Sequence, residues 1–127
     1  MKFKYTILYV ESVANTLAFY NKAFGFTTRF IHEEGDYGEL DTGTTTLSFS
    51  SLELMTDLGK SPAKARPLAP SFELAFETDD VESALNQAVA AGATLVQGVK
   101  QEPWGQTTSY VTDPDGFLIE ICSPIKT

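Results

Sequence analysis

Glu120 interrupts the apolar run Phe117-Leu-Ile-Glu-Ile-Cys122 near the end of the chain. A carboxylate among residues that suit a packed strand must be paired, protonated or put to use, because burying an unpaired charge is costly. Upstream lies the chain's one tryptophan, Trp104, framed by Pro103 and Gly105. An indole face can stack on a flat aromatic ring or attract a cation. As pure structure, the same ring would plug the entrance of a hairpin. Cys122 stands alone and His32 lies beside a charged loop, so a Cys–His nucleophile is not indicated. Cys122 reads as a small core residue.

These side chains are positioned by a hairpin. Thr107 to Thr112 and Phe117 to Cys122 are rich in β-formers, and Asp113-Pro-Asp-Gly116 supplies the turn between them. The same logic extends along the chain. Phe3 to Val10 reads as a strand, and Ser12 then caps a helix with Val13, Leu17, Tyr20 and Phe24 on one face, stopped by Gly25. Ser71 to Thr78 reads as a second strand, followed by a helix capped at Asp80 with Val81, Ala84, Leu85 and Ala88 on one face. One shift superposes Ser12 on Asp80, Val13 on Val81 and Leu17 on Leu85.

Three strands follow each helix. In the first half they are Thr27 to His32, Tyr37 to Leu40 and Thr44 to Ser50. In the second they are Thr94 to Gln97, Thr107 to Val111 and Phe117 to Cys122. The expectation is an α+β fold of two βαβββ modules, 1–51 and 71–127, within one domain spanning 1–127. Residues 52–70 carry Pro62, Pro67 and Pro70 and read as a linker without an element of its own. Two such curved sheets, from one chain or across a dimer, would enclose a cleft. Alternation gives Tyr5, Ile7, Phe30, Leu47 and Phe49 as its lining from the first half, and Ala75, Leu95, Tyr110 and Leu118 from the second.

Composition narrows the partners. The chain has 127 residues, 9 Lys+Arg against 17 Asp+Glu, and a net charge of −8. Nucleic acid and anionic membranes demand a basic face, so neither is expected. A neutral or cationic small ligand is compatible with this charge, as is a surface that is acidic only for solubility. A single cysteine excludes an internal disulfide and fits a reducing compartment. The apolar run Thr6 to Val10 ends at Glu11, too short for a signal peptide or a span. A cytoplasmic location is the expectation.

Taken together, these pieces resemble the vicinal oxygen chelate superfamily, which includes glyoxalase I, extradiol dioxygenases, fosfomycin-resistance enzymes and bleomycin-type resistance proteins. The resemblance spans the chain. It is carried by Tyr9-Val-Glu-Ser12 into Leu17-Ala-Phe-Tyr20, Phe24-Gly-Phe26, Leu74-Ala-Phe76 into Asp79-Asp-Val81, Ala91-Gly-Ala93, and Trp104-Gly-Gln106 with Asp113-Pro-Asp-Gly116. The last block is most similar to the bleomycin- and mitomycin-resistance proteins, which hold drugs without catalysis.

The resemblance implies four strand positions that hold a divalent ion in the metal enzymes. Mapped by the internal repeat they are Tyr5, Glu73 and Glu120, with Leu47 counted four residues after Gly43 as Glu120 is counted four after Gly116. Tyrosine is a poor ligand near neutral pH and leucine is none. The expectation is therefore no metal, no cofactor and no catalytic residue, with the cleft serving as a drug-binding pocket that confers resistance by sequestration. Its ligand would be planar aromatic or cationic, held by Trp104, Tyr5, Phe30, Leu47, Phe49, Glu73, Tyr110 and Glu120. Two other readings stay open: one of Glu73 and Glu120 hydrogen-bonds Tyr5, Tyr110 or Thr108 as part of the structure, or the pair serves general acid/base catalysis. The alternative function is a metal-dependent lyase, isomerase or dioxygenase in which the two carboxylates hold Mn²⁺, Fe²⁺ or Mg²⁺. In this superfamily the modules that close a cleft often come from different chains, so a homodimer is expected.

Overall fold

A computed structural model describes residues 1–125. These fall into two compact units, Met1–Lys64 and a second beginning at Ala65. The first contains β1 (Tyr5–Val10), α1 (Val13–Phe24), β2 (Thr27–Ile31), β3 (Tyr37–Asp41), β4 (Thr46–Ser51) and α2 (Leu52–Asp57). The second contains β5 (Glu73–Glu77), α3 (Val81–Ala90), β6 (Thr94–Gln101), β7 (Thr107–Thr112) and β8 (Leu118–Cys122). The expected βαβββ order is present twice.

Each unit builds one mixed four-stranded sheet, in the orders β1-β4-β3-β2 and β5-β8-β7-β6. The first strand runs parallel to the last, and the rest pair antiparallel. The helix after the first strand is the crossover that parallel pairing requires. Ser12 starts α1 by accepting from the Asn15 amide at 3.2 Å, and Gly25 ends it in the left-handed region at φ 75°. Asp80 starts α3 in the same way, through the Ser83 amide at 3.1 Å.

The core of the first unit lies between α1 and one face of its sheet. Val13, Leu17 and Tyr20 pack toward Leu8, Val10, Leu40 and Phe49, all nearly or fully buried. The Tyr20 and Phe49 rings are 5.0 Å apart between centroids. Gly38 of β3 permits the close approach: a Cβ there would lie 2.7 Å from Leu17 Cδ1. In the second unit, Val81, Leu85 and Ala88 of α3 are buried with Val111, Ile119 and Ile121.

The segment read as an element-free linker needs correcting. Its first six residues form α2, capped by Ser51, whose hydroxyl accepts from the Leu54 amide at 3.0 Å, and Met55 is buried. The prolines that signalled a linker begin only at Pro62. Further on, Ala65 and Pro67 lie against the β7–β8 turn, where a Cβ on Gly116 would come within 3.1 Å of Pro67 Cδ. That turn is also held by Asp113, 3% exposed, whose Oδ1 accepts from the Asp115 and Phe117 amides at 2.9 Å each.

Candidate functional site

Register places the chemistry of the second unit on one face of its sheet. Ala75 pairs with Glu120, Glu73 with Leu118, Glu77 with Cys122, and Tyr110 with Glu120. Paired residues share a face and neighbours along a strand alternate. Glu73, Tyr110, Glu120 and Cys122 therefore share the face opposite Val111, Ile119 and Ile121. The Tyr110 hydroxyl donates to Glu120 Oε2 at 2.8 Å, and both residues are half-buried.

This arrangement keeps the phenol protonated. Burial is the largest influence raising the Tyr110 pKa above its ordinary value, followed by the hydrogen bond and negative charge of Glu120, with Glu73 adding to both. Cys122 is affected in the same direction, first by burial and then by Glu120, so its thiol is held in the unreactive form. The face thus offers one carboxylate with a fixed donor on one oxygen and a second, exposed carboxylate at Glu73.

Trp104 lies in the loop that joins β6 to β7. The loop closes through Gly105 N–H to Glu102 O at 3.0 Å and Glu102 N–H to Gln106 O at 2.8 Å, with Gly105 at φ 88°. The ring is 56% exposed, so it is a surface platform rather than a plug. Its indole N–H donates to Gln106 Oε1 at 2.7 Å. Beneath the loop, the Glu102 carboxylate is largely buried and lies 3.2 Å from Lys100 Nζ. Thr107, where β7 leaves this loop, is three residues from Tyr110, or about 10 Å at strand spacing.

In the first unit the outcome differs from expectation in part. Tyr5 and Phe30, each about half exposed, lie on the face away from α1. Leu47 and Phe49 do not: they pair with Thr6 and Leu8, are 6% and 0% exposed, and belong to the core against α1. The physical reason is visible in β4, where Leu47 and Phe49 alternate with Thr46, Ser48 and Ser50, and it is these hydroxyl residues that take the other face. Leu95 is also misassigned: it pairs with buried Val111, because irregular register around Gln97 breaks the alternation of β6.

The register also revises the repeat. Ile7 pairs with Ser48 just as Ala75 pairs with Glu120, so Ser48, not Leu47, is the counterpart of Glu120. Two further residues were missed. Tyr37 donates to Glu39 Oε2 at 2.8 Å on the same face, and its ring lies 6.4 Å from that of Phe30. Burial first raises the Tyr37 pKa, the Ser48 hydrogen bond lowers it, and Glu39 raises it again, for a net increase. Alternation puts Tyr37 and Glu39 on one face of a strand, but that spacing alone does not show that they meet.

The donors at the four family positions are thus a phenol, a hydroxyl and two carboxylates: Tyr5, Ser48, Glu73 and Glu120. Glu120 already accepts from Tyr110. Among the described residues, no group of three or more His, Cys, Asp or Glu side chains is placed to hold a metal. His32 is engaged elsewhere, with Nδ1 3.1 Å from Asp36 in the β2–β3 loop. Within the first unit these positions hold a phenol and a hydroxyl, and within the second two carboxylates, so neither unit supplies the about three protein ligands of a usual divalent centre.

Comparison with known proteins agrees with the fold. A model of the Glyoxalase/Bleomycin resistance protein/Dioxygenase superfamily matches residues 2–121. The uncharacterized protein YraH of Bacillus subtilis is 26% identical over 124 residues, covering 95% of this chain and 97% of the relative. The virulence protein STM3117 of Salmonella typhimurium is 27% identical over 119 residues, covering 91% and 78%. Among solved structures, a glyoxalase-related enzyme from Fulvimarina pelagi superposes with a TM-score of 0.84 at 23% identity, covering 98% of this chain and 88% of that one. TioX from Micromonospora sp. ML1 superposes with a TM-score of 0.72 at 20% identity, covering 97% and 98%.

Proposed function

Because the chain belongs to the glyoxalase/bleomycin resistance protein/dioxygenase superfamily, and its second sheet presents a carboxylate oriented by a phenol beside a second carboxylate, we propose that it binds a small, flat, cationic molecule and acts by holding it. The observation that carries this reading is the Tyr110–Glu120 pair beside Glu73. A half-buried carboxylate oriented by one donor retains acceptor capacity for a ligand's N–H or positive charge. Trp104 adds an exposed ring suited to stacking. Tyr5, Phe30, Tyr37 and Glu39 supply similar chemistry on the first sheet.

Cys122 is pushed toward its protonated form and offers no activated nucleophile. Sequestration of this kind would protect a cell from a drug-like compound, and the superfamily's name includes bleomycin resistance proteins. We further propose that the protein works as a homodimer in a reducing, cytoplasmic setting, without nucleic acid or membrane partners. The test uses the lone tryptophan: planar and cationic antibiotics are titrated while Trp104 emission is followed, then repeated by calorimetry with Trp104→Ala. Quenching in the wild type, together with a heat of binding that vanishes in the variant, supports the reading. A broad panel giving neither at micromolar protein defeats it.

A further inference from the structure

We infer that Gln106 is a positioning residue that holds the Trp104 ring as a stacking surface and removes its hydrogen-bond donor from the ligand's reach, so that the site selects cationic or electron-poor rings over hydrogen-bond acceptors. The inference rests on the ligand-binding reading above, which it extends from the ring to the side chain behind it.

The geometry begins at Ser123, just past β8. Its amide donates to Thr107 O at 2.9 Å, and its hydroxyl accepts from the Thr107 amide at 2.8 Å. Anchored twice, Ser123 presents a fixed carbonyl, to which Gln106 Nε2 donates at 3.0 Å. A carbonyl only accepts, so this bond settles which end of the Gln106 amide is nitrogen. Oε1 must then point the other way, where it accepts from the Trp104 indole at 2.7 Å. The ring is thus tied through one amide to a strand end rather than left to the rotamers of an exposed loop.

Two consequences follow for recognition. An exposed tryptophan that must be ordered by its ligand charges that ordering against affinity, whereas a pre-set ring does not. And because the indole's single donor is already satisfied, the exposed ring offers only its π surface. That surface favours positive charge and electron-poor rings. A ligand carbonyl or ether would find no donor there.

The test compares wild type, Gln106→Leu and Gln106→Glu in the full chain. Ligand-free Trp104 anisotropy and acrylamide quenching report how firmly the ring is held. Affinity is measured for N-methylquinolinium, a flat cation, and for tetramethylammonium, a cation with no ring to stack. In Gln106→Leu we expect lower anisotropy, greater quenching, and about a tenfold loss of quinolinium affinity, with a clearly smaller loss for tetramethylammonium, whose compact charge needs no stacking area and tolerates a reoriented ring. Unchanged anisotropy and quinolinium affinity overturn the inference, and so does an equal loss for both probes, which marks a general structural role. Gln106→Glu guards against misfolding of the leucine variant. Its carboxylate still accepts from Trp104 but repels the Ser123 carbonyl, so the ring should loosen at neutral pH. It should tighten again toward the carboxyl pKa of about 4.3, where protonation restores a donor; no recovery overturns the inference. If wild type binds neither probe, the ligand-binding reading falls, while the anisotropy comparison still decides whether Gln106 holds the ring.

Discussion

Tyr110 and Glu120 occupy directly paired positions of β7 and β8, and the Tyr110 hydroxyl donates to the Glu120 carboxylate at 2.8 Å. The pair fixes one carboxylate oxygen on the face of the sheet and leaves the group's negative charge in a half-buried setting. A donor bound to a charged acceptor contributes about 1.5–3 kcal/mol. Tyr110→Phe should lower the unfolding free energy by an amount of that order at neutral pH, read from urea denaturation. A change below about 0.5 kcal/mol would show that solvent replaces the bond at no cost.

The same pair gives a pH dependence with a definite sign. Burial, then Glu120, raises the Tyr110 pKa, so the folded protein holds this proton more tightly than the unfolded chain. The group's contribution is therefore fully present below the unfolded phenol pKa of about 10 and is lost as pH rises above it. Tyr37 is shifted in the same direction. Tyrosinate absorbance should show part of the 5 tyrosines ionising late, with one late step removed in Tyr110→Phe. A single unshifted transition for all of them would contradict the geometry.

Phe49 and Phe30 separate packing from recognition on the first sheet. Phe49 is fully buried against Tyr20, whereas Phe30 is 48% exposed. Phe49→Ala should cost about 3–5 kcal/mol of stability and leave ligand affinity intact in the folded fraction. Phe30→Ala should change stability by about 0.5 kcal/mol or less. Equal costs in thermal melts would undo the assignment of faces.

Metal content is a separate check. Protein purified without chelator should carry well under one equivalent of Mn, Fe or Zn, and EDTA should leave probe binding unchanged. One equivalent of metal that disappears in Glu120→Ala would show that the two carboxylates do recruit an ion, with water completing its shell.

Assembly can be weighed directly. Strand β1 lies at the edge of its sheet, and Phe3 before it and Ile7 within it are 70% and 44% exposed. Apolar groups gathered along an edge strand mark an association surface. We expect a homodimer whose apolar interface survives high salt, since salt only screens the repulsion of the −8 charge on each chain. A 13.9 kDa species in sedimentation at low and high salt would rule it out.

Much of the fold was legible because local rules and the global pattern agree. Ser12 and Asp80 cap the helices that their apolar spacing announces, and Gly25 ends the first where a left-handed residue is needed. The errors came from counting. Gly116 precedes the first paired residue of β8, Leu118, by two positions, whereas Gly43 precedes Thr46 of β4 by three. A count from the glycine therefore lands on Leu47 instead of Ser48, and a slip of one residue exchanges faces. The Tyr37–Glu39 and Trp104–Gln106 bonds were hidden for a different reason. Polar side chains two residues apart are common in any sequence, and only backbone geometry shows which of them meet.

The most direct measurement is calorimetric titration of wild type, Glu120→Gln and Trp104→Ala with N-methylquinolinium and its neutral isostere, methylnaphthalene. We expect wild type to bind the cation at least tenfold more tightly than the neutral ring. Glu120→Gln should erase most of that preference by removing the charge, and Trp104→Ala should weaken both ligands by removing the stacking surface. Equal affinity for cation and isostere, or a preference untouched by Glu120→Gln, would contradict recognition by the Tyr110–Glu120 face.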